Sequence, residues 1–183
     1  MSVEQQTNEH ILVEAPAGAT QGLLYFRGNS FPCALGRSGI ASDKREGDGA
    51  TPTGAFALRA LRYRSDRVPA PQSGLLTQAL KPEDGWCDAP DDPAYNQPIT
   101  TPYAASHETL WREDHLYDVV IMLGYNDDPV IPGKGSAIFF HLAKQKDGVL
   151  QPTEGCVALA LSDMLEVLKD VTPETMMKIR LSA

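Results

Sequence analysis

Prolines and glycines occur along the whole chain and divide it into short segments. The 183 residues include fourteen prolines and fifteen glycines, and neither residue is tolerated well inside a long helix. Most segments between them are rich in β-branched or aromatic residues, which favours strands. The predicted strands cover residues 23–26, 31–36, 54–63, 118–125, 137–143, 156–161 and 176–181. The pattern therefore predicts a mainly β protein.

One helix is predicted, over residues 163–170. Ser162 is its expected N-cap, and Pro173 is expected to end it. The apolar stripe that would face the core consists of Met164, Leu165 and Leu168. Residues 68–113 show little periodicity, which is typical of a long irregular loop with a function. We expect this lobe to cover a cleft, within a single domain that spans residues 1–183.

The charge of the chain argues against a nucleic-acid binder. Twenty-four acidic and sixteen basic side chains leave a formal net charge of −8, whereas affinity for phosphate backbones rests on clustered Lys and Arg. No segment approaches the roughly 20 apolar residues that span a bilayer. The polar start, residues 1–9, has no basic segment followed by an apolar core, so no ordinary secretory signal is expected in it.

Three widely spaced cysteines, Cys33, Cys87 and Cys156, do not form a disulfide framework. Cys33 and Cys87 are expected to be small buried thiols, with a disulfide between them as the alternative in an oxidising compartment.

Cys156 and His141 form the candidate catalytic pair. A thiol becomes a nucleophile at neutral pH only when a neighbouring group lowers its pKa or takes its proton, and histidine can do this. His141 ends one predicted strand and Cys156 begins another, with the loop-like residues 144–148 between them. We therefore expect adjacent strands that bring the two side chains within hydrogen-bond reach. Gly155 would let a substrate approach closely, and the amides of Gly155 and Cys156 would stabilise an oxyanion.

Four segments occur in a fixed order around this pair. They are residues 47–56 (GDGATPTGAF), residues 84–88 (DGWCD) with Tyr95 and Asn96 beyond them, residues 135–141 (GSAIFFH) and residues 153–157 (TEGCV). Together they resemble the L,D-transpeptidase catalytic domain family, the YkuD-type enzymes of bacterial cell-wall synthesis. The third segment resembles the strand that delivers the catalytic His. The fourth resembles the Ser/Thr-x-Gly-Cys-aliphatic nucleophile motif.

The resemblance implies a β-sandwich or β-barrel-like fold and a two-step transferase reaction without a cofactor or metal. Cys156 would attack the amide that follows an L-centre of one peptidoglycan peptide stem and expel the next D-amino acid. An amine of a second stem would then form a 3→3 or 1→3 cross-link, and the backbone carbonyl of a neighbour would orient His141. Water or a free D-amino acid would give carboxypeptidase or exchange activity instead.

The implied partners are the donor and acceptor stems, with carbapenem-type β-lactams as covalent inhibitors. The implied location is the periplasm or cell envelope, with roles in cell-wall biogenesis and cell shape, and a cytoplasmic location is left open. The residues expected to bind substrate are Trp86, Tyr95, Asn96, Arg112 and Thr153. Many family members carry Arg or Asn two residues after the Cys, where this chain has Ala158. Arg112, Arg37 or Lys134 would supply the missing cation.

Other functions are left open. A zinc site would use His107, His115, His141, Cys87 and Cys156, although no CxxC or HExxH spacing is present. A papain-like protease would place its Cys before its His, the reverse of the order here. A non-catalytic peptidoglycan-binding module, or a hydrolytic L,D-carboxypeptidase or amidase, would share the fold without the transfer reaction.

Overall fold

The structure, a computed structural model, describes residues 9–182. The polar start considered above lies almost wholly outside this range. The strands within it are β1 (Ile11–Ala15), β2 (Gln21–Phe26), β3 (Asn29–Ala34), β4 (Ile40–Ala41), β5 (Thr51–Pro52), β6 (Gly54–Tyr63), β7 (Thr77–Ala79), β8 (Asp84–Cys87), β9 (Pro98–Thr100), β10 (His107–Thr109), β11 (Val119–Leu123), β12 (Phe139–Leu142), β13 (Gln145–Lys146), β14 (Val149–Leu150), β15 (Val157–Leu159) and β16 (Met176–Leu181). The helix α1 spans Leu161–Leu168.

The largest sheet closes on itself. Its strand order is β11-β12-β15-β3-β2-β1-β16-β6-β7, and β6 also pairs with β11. Closure is possible because β6 is ten residues long, so that its first part pairs with β16 and its last part with β11. The β1–β16, β12–β15 and β6–β7 pairs are parallel. The mainly β, barrel-like fold predicted from the sequence is confirmed.

Alternation along β11 and β12 separates two apolar clusters. Ile121 and Phe140 belong to the main core inside the barrel, together with residues of α1. Val120 and Phe139 point the other way, into a second cluster that also contains Cys156. Because successive side chains of a strand face opposite sides, one strand can support the core with one face and the candidate site with the other.

The lobe over residues 68–113 is more regular than the sequence suggested. It contains the antiparallel sheet β10-β8-β9, and β7 pairs with the end of β6. These strands are three or four residues long, too short to show a periodic pattern. Trp86, Leu110 and Trp111 of the lobe pack on the second apolar cluster, so the lobe covers the outer face of β11 and β12.

Helix α1 begins two residues earlier than predicted. Its N-cap is Ala160, not Ser162, and it ends well before Pro173. The helix follows directly on β15, so the end of the strand sets its start. The buried residues are Met164, Val167 and Leu168. No helix in the described part of the chain is long and apolar enough to cross a membrane.

The three cysteines are all buried and free. Cys33 and Cys87 are therefore the small buried thiols expected from the sequence, and they form no disulfide with each other.

Leu168→Ala should destabilise the protein, because Leu168 is fully buried between α1 and the barrel. We expect a loss of about 2–5 kcal/mol in the free energy of unfolding, measured by chemical denaturation. Leu161→Ala, on the same helix but 41% exposed, is the matched control and should cost about 0.5 kcal/mol or less. One cooperative transition in all three proteins would support the single domain, and equal effects of the two substitutions would contradict the packing of α1.

Candidate active site

Cys156 and His141 lie close together because β12 and β15 are neighbours. The two strands are parallel, and His141 pairs in register with Ala158. Parallel strands cannot be joined by a tight loop, so residues 144–148 are not the direct connection that the sequence suggested. They begin the small β13–β14 hairpin, and the chain then returns through residues 151–156 to the start of β15.

The backbone at the start of β12 holds the Cys156 thiol. The Phe139 N–H donates a hydrogen bond to Sγ, and the S–H donates to the Ala137 carbonyl, each with 3.3 Å between the heavy atoms. Only 7% of the surface of Cys156 is exposed. Among the described residues no hydrogen bond joins Sγ to His141. Both side chains line the same cleft.

A backbone carbonyl orients His141. Its Nδ1 lies 2.8 Å from the Leu142 carbonyl oxygen. Because that oxygen can only accept, Nδ1 carries the ring proton and Nε2 is left as the basic nitrogen. The Tyr117 ring packs edge-on against the imidazole, with 5.1 Å between ring centroids and 75° between planes. This arrangement fixes the ring without a carboxylate partner.

Burial keeps both members of the pair uncharged at neutral pH. It is the main cause that raises the pKa of the Cys156 thiol to about 12 and lowers the pKa of His141 to about 4. The negative charge of Glu108 raises the pKa of Cys156 further, whereas the Phe139 N–H and the Lys44 ammonium lower it. The resting pair is therefore a thiol beside a neutral imidazole.

Thr153 shapes the turn that carries the nucleophile. Its hydroxyl donates to the Cys156 carbonyl at 2.7 Å and accepts the Gly155 N–H at 3.2 Å. Its own N–H donates to the Leu35 carbonyl at the end of β3, and its carbonyl accepts the Arg37 N–H. Because the Gly155 amide is engaged within the turn, the predicted oxyanion site of two free amides is not formed in this conformation.

Close approach between backbone segments fixes the same turn. Gly155 has a φ of +138°, and a Cβ there would lie 2.8 Å from the Ala50 carbonyl oxygen. A Cβ on Gly36, which forms a β-bridge to the nucleophile turn, would collide with the Gly49 carbonyl oxygen. Both positions therefore need glycine. The segment of residues 47–56 packs directly against the nucleophile turn.

Asn96 stands behind the wall of the cleft and binds the protein itself. Its Oδ1 accepts the Trp86 indole N–H at 2.9 Å and the Ala137 backbone N–H at 3.0 Å. Its Nδ2 donates to the carbonyls of Tyr125 and Asn126. All four hydrogen-bonding positions of the amide are thus used. Ala137 has a φ of +51°, an unfavourable value for a residue with a side chain, and Asn96 holds it there.

Tyr95 and Trp86 have similar supporting positions. The Tyr95 hydroxyl donates to Glu46 at 2.5 Å and accepts the Gly135 N–H at 3.0 Å. The Trp86 ring packs edge-on against Phe139, with 5.2 Å between centroids. Neither residue lines the cleft, and nor does Asn96. The polar groups of all three are directed at the protein, and substrate binding by these residues stays a prediction.

A cleft of about 540 Å³ opens at Cys156 and has the size of a small-molecule or peptide site. It brings together Cys156, His141, Thr153 and Arg112 of the predicted site, with Gly155 directly behind the nucleophile. Its basic side chains are Arg37, Lys44, Arg112 and Lys144, and its acidic side chains are Glu46, Asp88, Glu108, Asp114 and Glu154. The cleft is therefore charged as well as apolar.

Arg112 is largely committed to protein partners. Asp114 binds its guanidinium through two hydrogen bonds of 2.9 and 2.5 Å. Glu108 Oε1 lies 3.6 Å from a further guanidinium nitrogen, and the guanidinium carbon lies 5.1 Å from the centroid of the Tyr117 ring. The hydrogen bonds to Asp114 raise the pKa of Arg112, so it remains a cation.

Lys44 is a cleft residue that sequence reasoning missed. Its side chain is 4% exposed, and its Nζ donates to the Asp48 carboxylate at 2.5 Å and to the Arg45 carbonyl at 2.9 Å. One N–H therefore remains for a ligand. In the sequence Lys44 stands among charged residues, for which exposure to solvent is the usual outcome. The only sequence feature that pointed to a paired Lys44 was the acidic Asp48 four residues later.

The other two predicted cations lie at the edge of the cleft or outside it. Arg37 lines the cleft but pairs with the exposed Glu154 at 2.9 Å. Lys134 pairs with Asp43 at 3.4 Å and is not part of the lining.

The residues considered for a zinc site do not form a metal-binding group in the described part of the chain. His115 Nδ1 lies 2.7 Å from the Asp118 carboxylate, and His107 Nδ1 lies 2.8 Å from the Ala105 carbonyl oxygen. Within residues 9–182 no group of three or more His, Cys, Asp or Glu side chains is arranged to hold a metal ion.

Comparison with known proteins identifies one family. The sequence model of the L,D-transpeptidase catalytic domain, YkuD, matches residues 9–179, nearly the whole chain. A search of curated proteins gave no match.

The alkylation rate of Cys156 should keep rising with pH well above neutrality. With a pKa of about 12, its thiolate fraction grows about tenfold for each pH unit below that value. The rate with iodoacetamide, measured by mass spectrometry of the Cys156 peptide, should therefore show no plateau from about pH 6 to about pH 9. A small thiol with an ordinary pKa of about 8.5 is the control. A plateau near neutral pH would show a preformed thiolate–imidazolium pair instead.

Asn96→Ala should loosen the backbone that buries the thiol. Ala137 would lose the bond that holds its strained conformation, so we expect faster alkylation of Cys156 at pH 8 and a loss of about 2–3 kcal/mol in stability. Trp86→Phe is the control, because it removes the indole N–H that binds Asn96 and makes the ring smaller, but keeps an aromatic ring against Phe139. It should cost about 1 kcal/mol and leave the alkylation rate unchanged. Equal rates in the two variants would refute the positioning role of Asn96.

Proposed function

The chain belongs to the L,D-transpeptidase catalytic domain (YkuD) family, and from that premise we propose that it is a cysteine peptidyltransferase of peptidoglycan. Cys156 forms an acyl-enzyme with one peptide stem, and an amine of a second stem takes the acyl group to form a cross-link. Neither step uses a metal or a cofactor.

The observation that carries this proposal is the shared placement of thiol and imidazole on one cleft. Cys156 and His141 come from adjacent parallel strands, and both line the 540 Å³ cleft. The Nδ1 of His141 is occupied by the Leu142 carbonyl, so the nitrogen that remains free is a base. A nucleophile, an oriented base and a peptide-sized cleft are the parts that acyl transfer needs.

In the first step, Nε2 of His141 takes the thiol proton while Sγ attacks the carbonyl carbon that follows the L-centre. The Phe139 N–H already donates to the sulfur, and Lys44 also favours the thiolate. The imidazolium then gives its proton to the leaving nitrogen, and the D-amino acid departs with a neutral amine. The thioester and a neutral His141 remain.

In the second step, the acceptor determines the product. An amine of another stem gives a cross-link, water gives L,D-carboxypeptidase activity, and a free D-amino acid gives exchange. Product mapping by mass spectrometry distinguishes a 3→3 from a 1→3 cross-link. Members of the family are typically associated with the cell envelope, and we propose that this protein acts there, in cell-wall biogenesis, with carbapenem-type β-lactams as covalent inhibitors.

Cys156→Ala should abolish both D-amino acid release and cross-link formation, because no other group can carry the acyl chain. His141→Ala should lower turnover by about 10²- to 10⁴-fold, the usual contribution of a positioned acid-base group. Defined tetrapeptide and pentapeptide muropeptides serve as substrates, with products followed by mass spectrometry.

Cys33→Ala, which removes another buried thiol, is the control and should turn over like the wild type. Turnover by Cys156→Ala would contradict the mechanism. A non-catalytic peptidoglycan-binding module would form no covalent adduct with a carbapenem. We expect an adduct on the Cys156 peptide of the wild type and none in Cys156→Ala.

A further inference from the structure

Glu108 presents a carboxylate oxygen to the cleft from the edge of the lobe. It lies in β10, and its Oε1 accepts the Tyr117 hydroxyl at 2.7 Å. The ring of Tyr117 packs against His141, so Glu108 belongs to the surroundings of the base. Its other oxygen, Oε2, forms no hydrogen bond with any residue in the range 9–182. The side chain lines the cleft and is 28% exposed.

The surroundings of Glu108 carry more negative than positive charge. The charges that act on Glu108 are those of Asp88, Asp114 and Arg112, and Asp114 already occupies Arg112 with two hydrogen bonds. Asp88 Oδ1 is buried with no hydrogen-bond partner in the described part of the chain. A buried carboxylate without a partner is unfavourable. A cationic group of a ligand would relieve this excess of negative charge.

We propose that Glu108 is a second catalytic residue, which receives the ammonium group of the acceptor stem and takes its first proton. This inference rests on the proposed function, since it concerns the second step of that reaction. It also names the class of acceptor, a primary amine that arrives as a cation.

The proton balance of the second step assigns different tasks to Glu108 and His141. The acceptor ammonium transfers one proton to Oε2 of Glu108 and becomes a neutral amine. Its nitrogen attacks the thioester carbonyl, the N–C bond forms, and the C–S bond breaks to release the Cys156 thiolate. The second proton of the attacking nitrogen passes through His141 Nε2 to Sγ, which restores the resting thiol and imidazole. Glu108 then loses its proton to solvent.

His141 alone is poorly suited to both transfers. The attacking nitrogen loses two protons in this step, and His141 Nε2 returns only one of them to Sγ, so the other needs a second acceptor. Burial raises the pKa of Glu108, and Asp88 and Asp114 add to this, against the opposing Tyr117 hydrogen bond and Arg112 charge. A carboxylate with a raised pKa is a stronger base than an exposed one. Its negative charge also attracts the ammonium, which no interaction of a neutral imidazole does.

Glu108→Gln tests the inference without disturbing Tyr117. The glutamine carbonyl can still accept the Tyr117 hydroxyl, but it has no charge and takes no proton. With muropeptides as donor and acceptor and enzyme in excess over donor, release of the donor's D-amino acid in the first turnover should stay within about threefold of the wild type. The ratio of cross-linked to hydrolysed product should fall by about a hundredfold, the low end of the contribution of an acid-base group.

The matched control is Glu154→Gln, the same change at a carboxylate of the same cleft that is 80% exposed and paired with Arg37. Its ratio of cross-linked to hydrolysed product should equal that of the wild type. If this ratio fell similarly in both variants, the cause would be the overall charge of the cleft and not Glu108, and the inference would be overturned.

Hydroxylamine, which is uncharged near pH 7, provides a second acceptor. Since it brings no cation and needs no proton removed before attack, the acyl-enzyme of Glu108→Gln should react with it at the wild-type rate. If the acyl-enzyme of Glu108→Gln reacted with hydroxylamine as slowly, relative to the wild type, as it does with the stem amine, the role of Glu108 would be overturned. Loss of first-turnover D-amino acid release in Glu108→Gln with no such loss in Glu154→Gln would also overturn it. Absence of release by the wild type would instead refute the proposed function, and with it the inference that rests on it.

Discussion

The parallel pairing of β12 with β15 is the constraint from which the geometry of the cleft follows. Parallel neighbours need a connection that leaves the sheet and returns. Here the chain makes the β13–β14 hairpin and then the turn that ends at Cys156. The nucleophile therefore precedes its strand and lies beside the start of β12, where its sulfur meets the Phe139 amide and the Ala137 carbonyl. His141 follows two residues after Phe139, on the same face of the strand.

Glycine allows the nucleophile turn to pack against the rest of the barrel, and one carboxylate keeps the opposing loop in place. The Ala50 carbonyl approaches Gly155 more closely than any side chain would permit. Asp48 holds that carbonyl in position, because it accepts the backbone N–H groups of Arg45 and Ala50. The same carboxylate binds Lys44. The loop that supports the turn thus also delivers a buried cation to the cleft.

The strands, the shared placement of Cys156 and His141 on one cleft, and the covering lobe could be predicted because each leaves a local signal in the sequence. The roles of Trp86 and Asn96 could not, because a motif indicates that a residue is needed but not whether its polar atoms face the cleft or the backbone. All four hydrogen-bonding positions of the Asn96 amide bind protein groups. Lys44 and Glu108 were missed for a different reason. Their burial depends on partners that only the fold brings into place, whereas charged residues in polar segments are usually exposed.

Ala158 shows why the charges of the cleft come from other segments. It pairs in register with His141, but Leu150 of β14 and Ala34 of β3 pack against it, and it is fully buried. A longer polar side chain at this position would have to displace the hairpin. The charged groups of the cleft are instead Lys44 and, at the lobe edge, Glu108 and Arg112, among others. Since the Cys156 thiol and the His141 imidazole are held by barrel backbone, the loops around the cleft can change while the two side chains keep their geometry.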